Sequence, residues 1–118
     1  MDQSCIQGRY VNGVRLKVGK EGSLNVYKVP SLLEITEDNF ELVATLTTDS
    51  LGVQDFDFPS PIYVAENEYL VFGKPSEATP TLLPCYHLNL PKQQTAHYIG
   101  TDKAKKGGTN VSLMVDFY

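Results

Sequence analysis

The stretch from Val64 to Pro75 constrains this chain most, because a polar turn, Ala65-Glu66-Asn67-Glu68, runs straight into the short apolar run Tyr69-Leu70-Val71-Phe72. In an extended backbone, successive side chains point to opposite faces, so Tyr69 and Val71 face one way and Leu70 and Phe72 the other. Both faces are then apolar, which predicts a strand in the interior of a sheet rather than at its edge. Gly73, Lys74 and Pro75 end it, since proline has no N–H for a ladder.

The remaining chain repeats this period of two. Between Gly8 and Gly19, Val14, Leu16 and Val18 alternate with Arg15 and Lys17, the pattern of a half-buried strand. Lys20 to Ser23 is expected as a tight turn joining that strand to Leu24–Val29 in a hairpin, with Pro30 as the stop. Residues 31–39 contain an acidic cluster that predicts at most one helical turn. From Phe40 the alternation sets Leu42, Ala44 and Leu46 against Glu41, Val43 and Thr45. Val53 to Phe58 places Phe56 and Phe58 on one face with Gln54, and Val53, Asp55 and Asp57 on the other. Pro59-Ser60-Pro61 is expected to interrupt, leaving Ile62 to Val64 as a separate short strand. Pro75 to Pro80 reads as a loop, Leu82 to Leu90 as a strand bent by Pro84, Tyr98-Ile99 as a weaker strand, and Lys103 to Gly108 as a basic loop. The closing strand, Asn110 to Tyr118, alternates Val111, Leu113, Val115 and Phe117 with Ser112, Met114, Asp116 and Tyr118.

Seven to nine short strands with almost no helical period predict an all-β fold, an antiparallel two-sheet β-sandwich with a jelly-roll-like topology, in which the first long strand and the last are neighbours. The 118 residues fit a single domain, 1–118, long enough to bury a core without staples. Ten Lys and Arg against fourteen Asp and Glu leave a net charge of −4, the wrong sign for affinity built on phosphate neutralisation, so nucleic acid is not an expected partner. No run approaches the roughly twenty apolar residues of a spanning helix, so membrane insertion is not expected either. The N-terminus has no basic flank or apolar stretch and does not read as a signal peptide. Cys5 and Cys85 could bridge or stay as separate thiols; the spacing leaves both open, with separate thiols favoured.

The segments Asn12 to Val18, Gly22 to Val29, Gly52 to Phe58 and Ala65 to Gly73 resemble accessory β-sandwich modules, carbohydrate-binding-module-like domains. Such modules recur in gut-bacterial surface proteins, beside esterase-like hydrolase domains, and in phage tail or fibre proteins. The resemblance covers most of the chain through strand-turn-strand patterns. It implies a module that binds glycans or packs as a spacer, located at a cell surface, extracellularly or on a virion.

Chemistry-bearing residues are sparse. No Gly-x-Ser-x-Gly elbow appears, and neither cysteine sits in a protease signature, so no catalytic residue is assigned and the chain is not expected to be an enzyme. His87 and His97 could meet Asp55 or Asp57, but no spacing matches the three or so ligands of a zinc site. Asp55 with Asp57, or Glu66 with Glu68, could lend oxygens to a structural calcium, which takes about six to eight; the simpler reading is a solvated strand face and a polar turn. No cofactor is expected. A sugar ring offers an apolar C–H face that stacks on an exposed aromatic while its hydroxyls meet polar side chains. Trp is absent, and among the seven tyrosines Tyr63, Tyr86 and Tyr98 lie near polar loops. Tyr63, Tyr86, Asn89, His97 and Tyr98 are therefore the candidate ligand-binding residues. The partner is expected to be a glycan or, in the alternative reading, other chains of a surface or virion assembly, for which this would be a structural or oligomerisation domain.

Overall fold

The structure is a computed structural model that describes residues 6–30, 37–74, 83–84, 94–99 and 110–118. Within them the chain is all-β: β1 (Arg9–Lys20), β2 (Gly22–Val29), β3 (Glu41–Thr48), β4 (Gly52–Val64), β5 (Tyr69–Phe72), β6 (Leu83–Pro84), β7 (Gln94–Ile99) and β8 (Asn110–Phe117). The expected helical turn is a single 3₁₀ turn at Glu37–Asn39. The rest of the segment read as a bent strand, Cys85 to Leu90, lies outside the described residues, as do Cys5, the loop after Pro75 and the basic loop.

The strands follow the order β3-β2-β5-β7-β8-β1-β4, with β6 pairing the end of β1. The opening stretch behaves as its residues dictate. β5 lies between β2 and β7, and Leu70 and Phe72 enter the main core while Val71 enters a second cluster on the opposite face with Tyr27 and Val29. Phe40 and Tyr69 pack against that second cluster. The first and last strands are neighbours, with Val14 opposite Phe117 and Arg15 opposite Asp116. Val14, Leu16, Val18, Val115 and Phe117 are all buried.

Four expectations are corrected. β1 and β2 do not form a hairpin: β1 pairs with β4, β6 and β8, whereas β2 pairs with β3 and β5. Only Glu21 separates the two strands, too little for a two-residue hairpin loop, and Gly22 at φ 140° turns the chain away instead. The pairing is not wholly antiparallel, because β5 and β7 run parallel, Val71 opposite His97 and Phe72 opposite Tyr98. Pro59 and Pro61 do not break β4. The ladder passes from Val11↔Ile62 to Gly13↔Asp57, so the residues between are taken up in a bulge. β4 stands at one end of the strand order, where a missing N–H costs no ladder bond. Lastly, Leu42 does not share the core with Ala44 and Leu46. An extra residue in β3, where Val26 faces Ala44 but Tyr27 faces Leu42, reverses the phase and leaves Leu42 exposed while Val43 packs inward.

The main core takes side chains from β1, β2, β3, β4, β5 and β8, and Phe72 and Phe117 meet within it at a centroid distance of 6.4 Å.

Candidate binding surface

Two bulges shape one cleft. The bulged segment of β4 contributes Ser60 and Pro61, with Ile62 and Tyr63 following; the bulged segment of β3 contributes Glu41, Leu42 and Val43. Lys28 of β2 forms the floor. These strands are the two ends of the sheet order, so the cleft opens where the sheet curls round without β3 and β4 pairing. Its volume is about 320 Å³, near the lower limit of roughly 300–1,000 Å³ for small-molecule sites. Bulges commonly mark such places because they re-aim side chains that a regular ladder would fix.

The floor is fastened. Lys28 Nζ donates to the Tyr63 carbonyl at 3.2 Å and lies 3.6 Å from Glu68 Oε1. Glu68 also closes its own turn: its carboxylate accepts the Ala65 N–H at 2.9 Å, and its backbone N–H donates to the Ala65 carbonyl at 3.0 Å. Gln7 Nε2 donates to the Glu68 carbonyl at 3.0 Å. The polar turn that precedes β5 thus anchors the lysine beneath the cleft. Both carboxylate contacts of Glu68, to Lys28 and to the Ala65 N–H, fall on the same oxygen, Oε1.

Tyr63 of the lining belongs to an aromatic pair. Tyr63 lies opposite Tyr10 in the β1–β4 ladder, and their rings meet edge to face at 5.2 Å and 65°. Tyr10 keeps 61% of its surface exposed and Tyr63 46%. Of the five residues singled out in the sequence, Tyr63 is therefore on the surface at this cleft. Tyr86 and Asn89 lie outside the described residues. His97 and Tyr98 belong to β7, paired with β5 on one side and β8 on the other; β8 and β1 separate them from Tyr63 in the sheet order. Sequence reading missed Tyr10, Glu41 and Ser60. The hairpin it assumed directed β1 toward β2, and only the β1–β4 register brings the two tyrosines together.

A second polar group lies farther along the same ladder. Arg15 grips Asp55 with two bonds, Nε to Oδ1 at 2.5 Å and Nη2 to Oδ2 at 3.0 Å. The hydrogen bond and the charge of Arg15 hold the Asp55 carboxyl below its usual range, and Asp55 raises Arg15 in turn. Tyr118 reaches across Gly13 and donates its hydroxyl proton to Asp57 Oδ1 at 2.5 Å. A Cβ on Gly13 would sit 2.6 Å from the Tyr118 ring and hydroxyl, so only glycine admits the crossing. Burial, then the bond to Asp57, pushes the Tyr118 hydroxyl well above its ordinary value. Asp55 is held by Arg15 of β1 and Asp57 by Tyr118, the residue that follows β8, and among the described residues no three His, Cys, Asp or Glu side chains converge on a common point.

Compared with protein-family models, with curated proteins and with solved structures, the chain finds no match.

Proposed function

We propose that this chain is a non-catalytic recognition or adhesion module, a β-sandwich of jelly-roll-like topology, that binds carbohydrate as part of a larger cell-surface or phage-tail protein. The observation that carries the reading is the exposed Tyr63, packed edge to face on Tyr10, on the lining of a cleft that also presents Lys28, the Ser60 hydroxyl and the Glu41 carboxylate. Aromatic faces in water beside unpaired polar groups suit a ligand that is apolar on its ring faces and polar at its edges. The sandwich topology is supported by one core that takes side chains both from the paired strands β1 and β4 and from β2, which pairs with β3 and β5. The sequence supports the absence of catalysis through its lack of a nucleophile motif. An extracellular, surface or virion setting follows from the resemblance. Titration of the isolated 118 residues against a broad glycan panel tests the proposal: saturable binding is expected, and failure across the panel overturns it.

One feature favours the alternative of a structural or oligomerisation domain. Leu51, just before β4, and Val53, near its start, are both exposed, far along the strand from Tyr63. Light scattering that shows a concentration-dependent oligomer abolished by Leu51→Ser and Val53→Ser would favour it.

A further inference from the structure

The cleft's electrostatics narrow the ligand. Lys28 would attract an anion if it were free, but its ammonium is already held by Glu68 and by the Tyr63 carbonyl. The remaining charge on the lining is Glu41, exposed and directly across from Lys28 in the β2–β3 ladder. Neither the Glu41 carboxylate nor the Ser60 hydroxyl has a partner among the described residues. Charged walls of one sign set the local potential, here negative once Lys28 is matched, in a chain whose net charge is −4.

Resting on the carbohydrate-binding reading above, we propose that the site lies between the bulged segments of β3 and β4 and takes a neutral sugar residue rather than a uronate, sialylated or sulfated one. The ring stacks its C–H face on Tyr63, Glu41 accepts hydrogen bonds from adjacent hydroxyls, and Ser60 donates to or accepts from a third. A carboxylate or sulfate placed there meets Glu41 at close range with no free cation on the lining to offset it, so acidic sugars are rejected by repulsion. Lys28 acts as a positioning residue, fixing the β4 backbone at Tyr63 and sparing the cleft a bare positive charge.

The test uses amide NMR titrations of the 118-residue chain with neutral hexo-oligosaccharides and, in parallel, with uronate and sialylated oligosaccharides. Expected are shifts centred on Glu41, Leu42, Ser60 and Tyr63 with a neutral sugar. Tyr63→Ala should weaken binding by roughly tenfold, about one stacking contact, whereas Tyr63→Phe should keep most of it. Glu41→Gln should narrow the gap between neutral and acidic sugars. A glycan that binds with shifts elsewhere, or that is indifferent to Tyr63→Ala, overturns the site and leaves the carbohydrate reading standing. Preference for acidic sugars overturns the ligand class alone, and silence across both panels overturns the carbohydrate reading itself. Tyr63 is a surface side chain, so an unchanged amide spectrum without sugar checks that the variants fold.

Discussion

Arg15 and Asp55 face each other across β1 and β4, forty positions apart in sequence, in a two-pronged geometry that a lysine could not reproduce. Because the folded chain holds the Asp55 carboxyl below 3.8, the pair's contribution is present above that pH and fades as acid protonates the carboxylate. In Arg15→Gln the Asp55 carboxyl should titrate upward toward its ordinary value, read from side-chain carbon shifts; an unmoved midpoint would refute the pairing. Tyr118 runs in the opposite sense. The folded chain binds its hydroxyl proton more tightly than the unfolded chain, whose ordinary value is 10.0, so stability is complete below that pH and declines as pH rises beyond it. Tyr118→Phe should cost about 1 kcal/mol at neutral pH and should flatten the alkaline decline, measured by urea unfolding between neutral and alkaline pH. Equal slopes in the two proteins would contradict this. The sequence showed Asp55 and Asp57 as the wet side of a strand, and so they are. Their partners were hidden because Arg15 and Tyr118 lie in segments distant in the chain.

At the scale of the element, β3 shows where a period of two stops being sufficient. Leu42, Ala44 and Leu46 form an unbroken alternation in sequence, yet one additional residue opposite β2 puts Leu42 in water, 55% exposed, and turns Val43 toward the core. Nothing within residues 40–48 announces that bulge, because it is a property of the match between β3 and β2. Val43→Ser is therefore expected to lower stability by about 1–2 kcal/mol and Leu42→Ser by less than about 0.5 kcal/mol, compared by urea midpoints at constant slope. The reverse ranking would restore the simple alternation. β4 carries the same lesson through Pro59 and Pro61, whose punctuation looks like a strand break and is instead a bulge in a continuous strand at the end of the sheet order. β5, by contrast, was legible in full: four apolar residues flanked by a turn and by glycine specify a strand buried on both sides without reference to any neighbour.

For the molecule as a whole, most strands were readable, whereas their order, apart from the β1–β8 pairing, was not. Each strand's own residues encode its alternation, but the order β3-β2-β5-β7-β8-β1-β4 depends on pairings between remote segments. The binding cleft inherits that difficulty: Tyr63 could be picked out by type and surroundings, whereas Glu41 and Ser60 become its neighbours only when the two end strands converge. Phe72 and Phe117 join the two halves of that arrangement from β5 and β8, both fully enclosed. Phe72→Ala should cost roughly 3–5 kcal/mol, a large part of the roughly 5–15 kcal/mol typical of a domain, with a matching fall in the denaturation midpoint. A loss below about 1 kcal/mol would mean that the core closes without it.

β8 fills the gap between β7 and β1. During synthesis β1 is made well before β8, so Val14 and Arg15 lack their β8 partners until the later strand arrives. A nascent polypeptide in that condition offers an open ladder to its siblings on the same message.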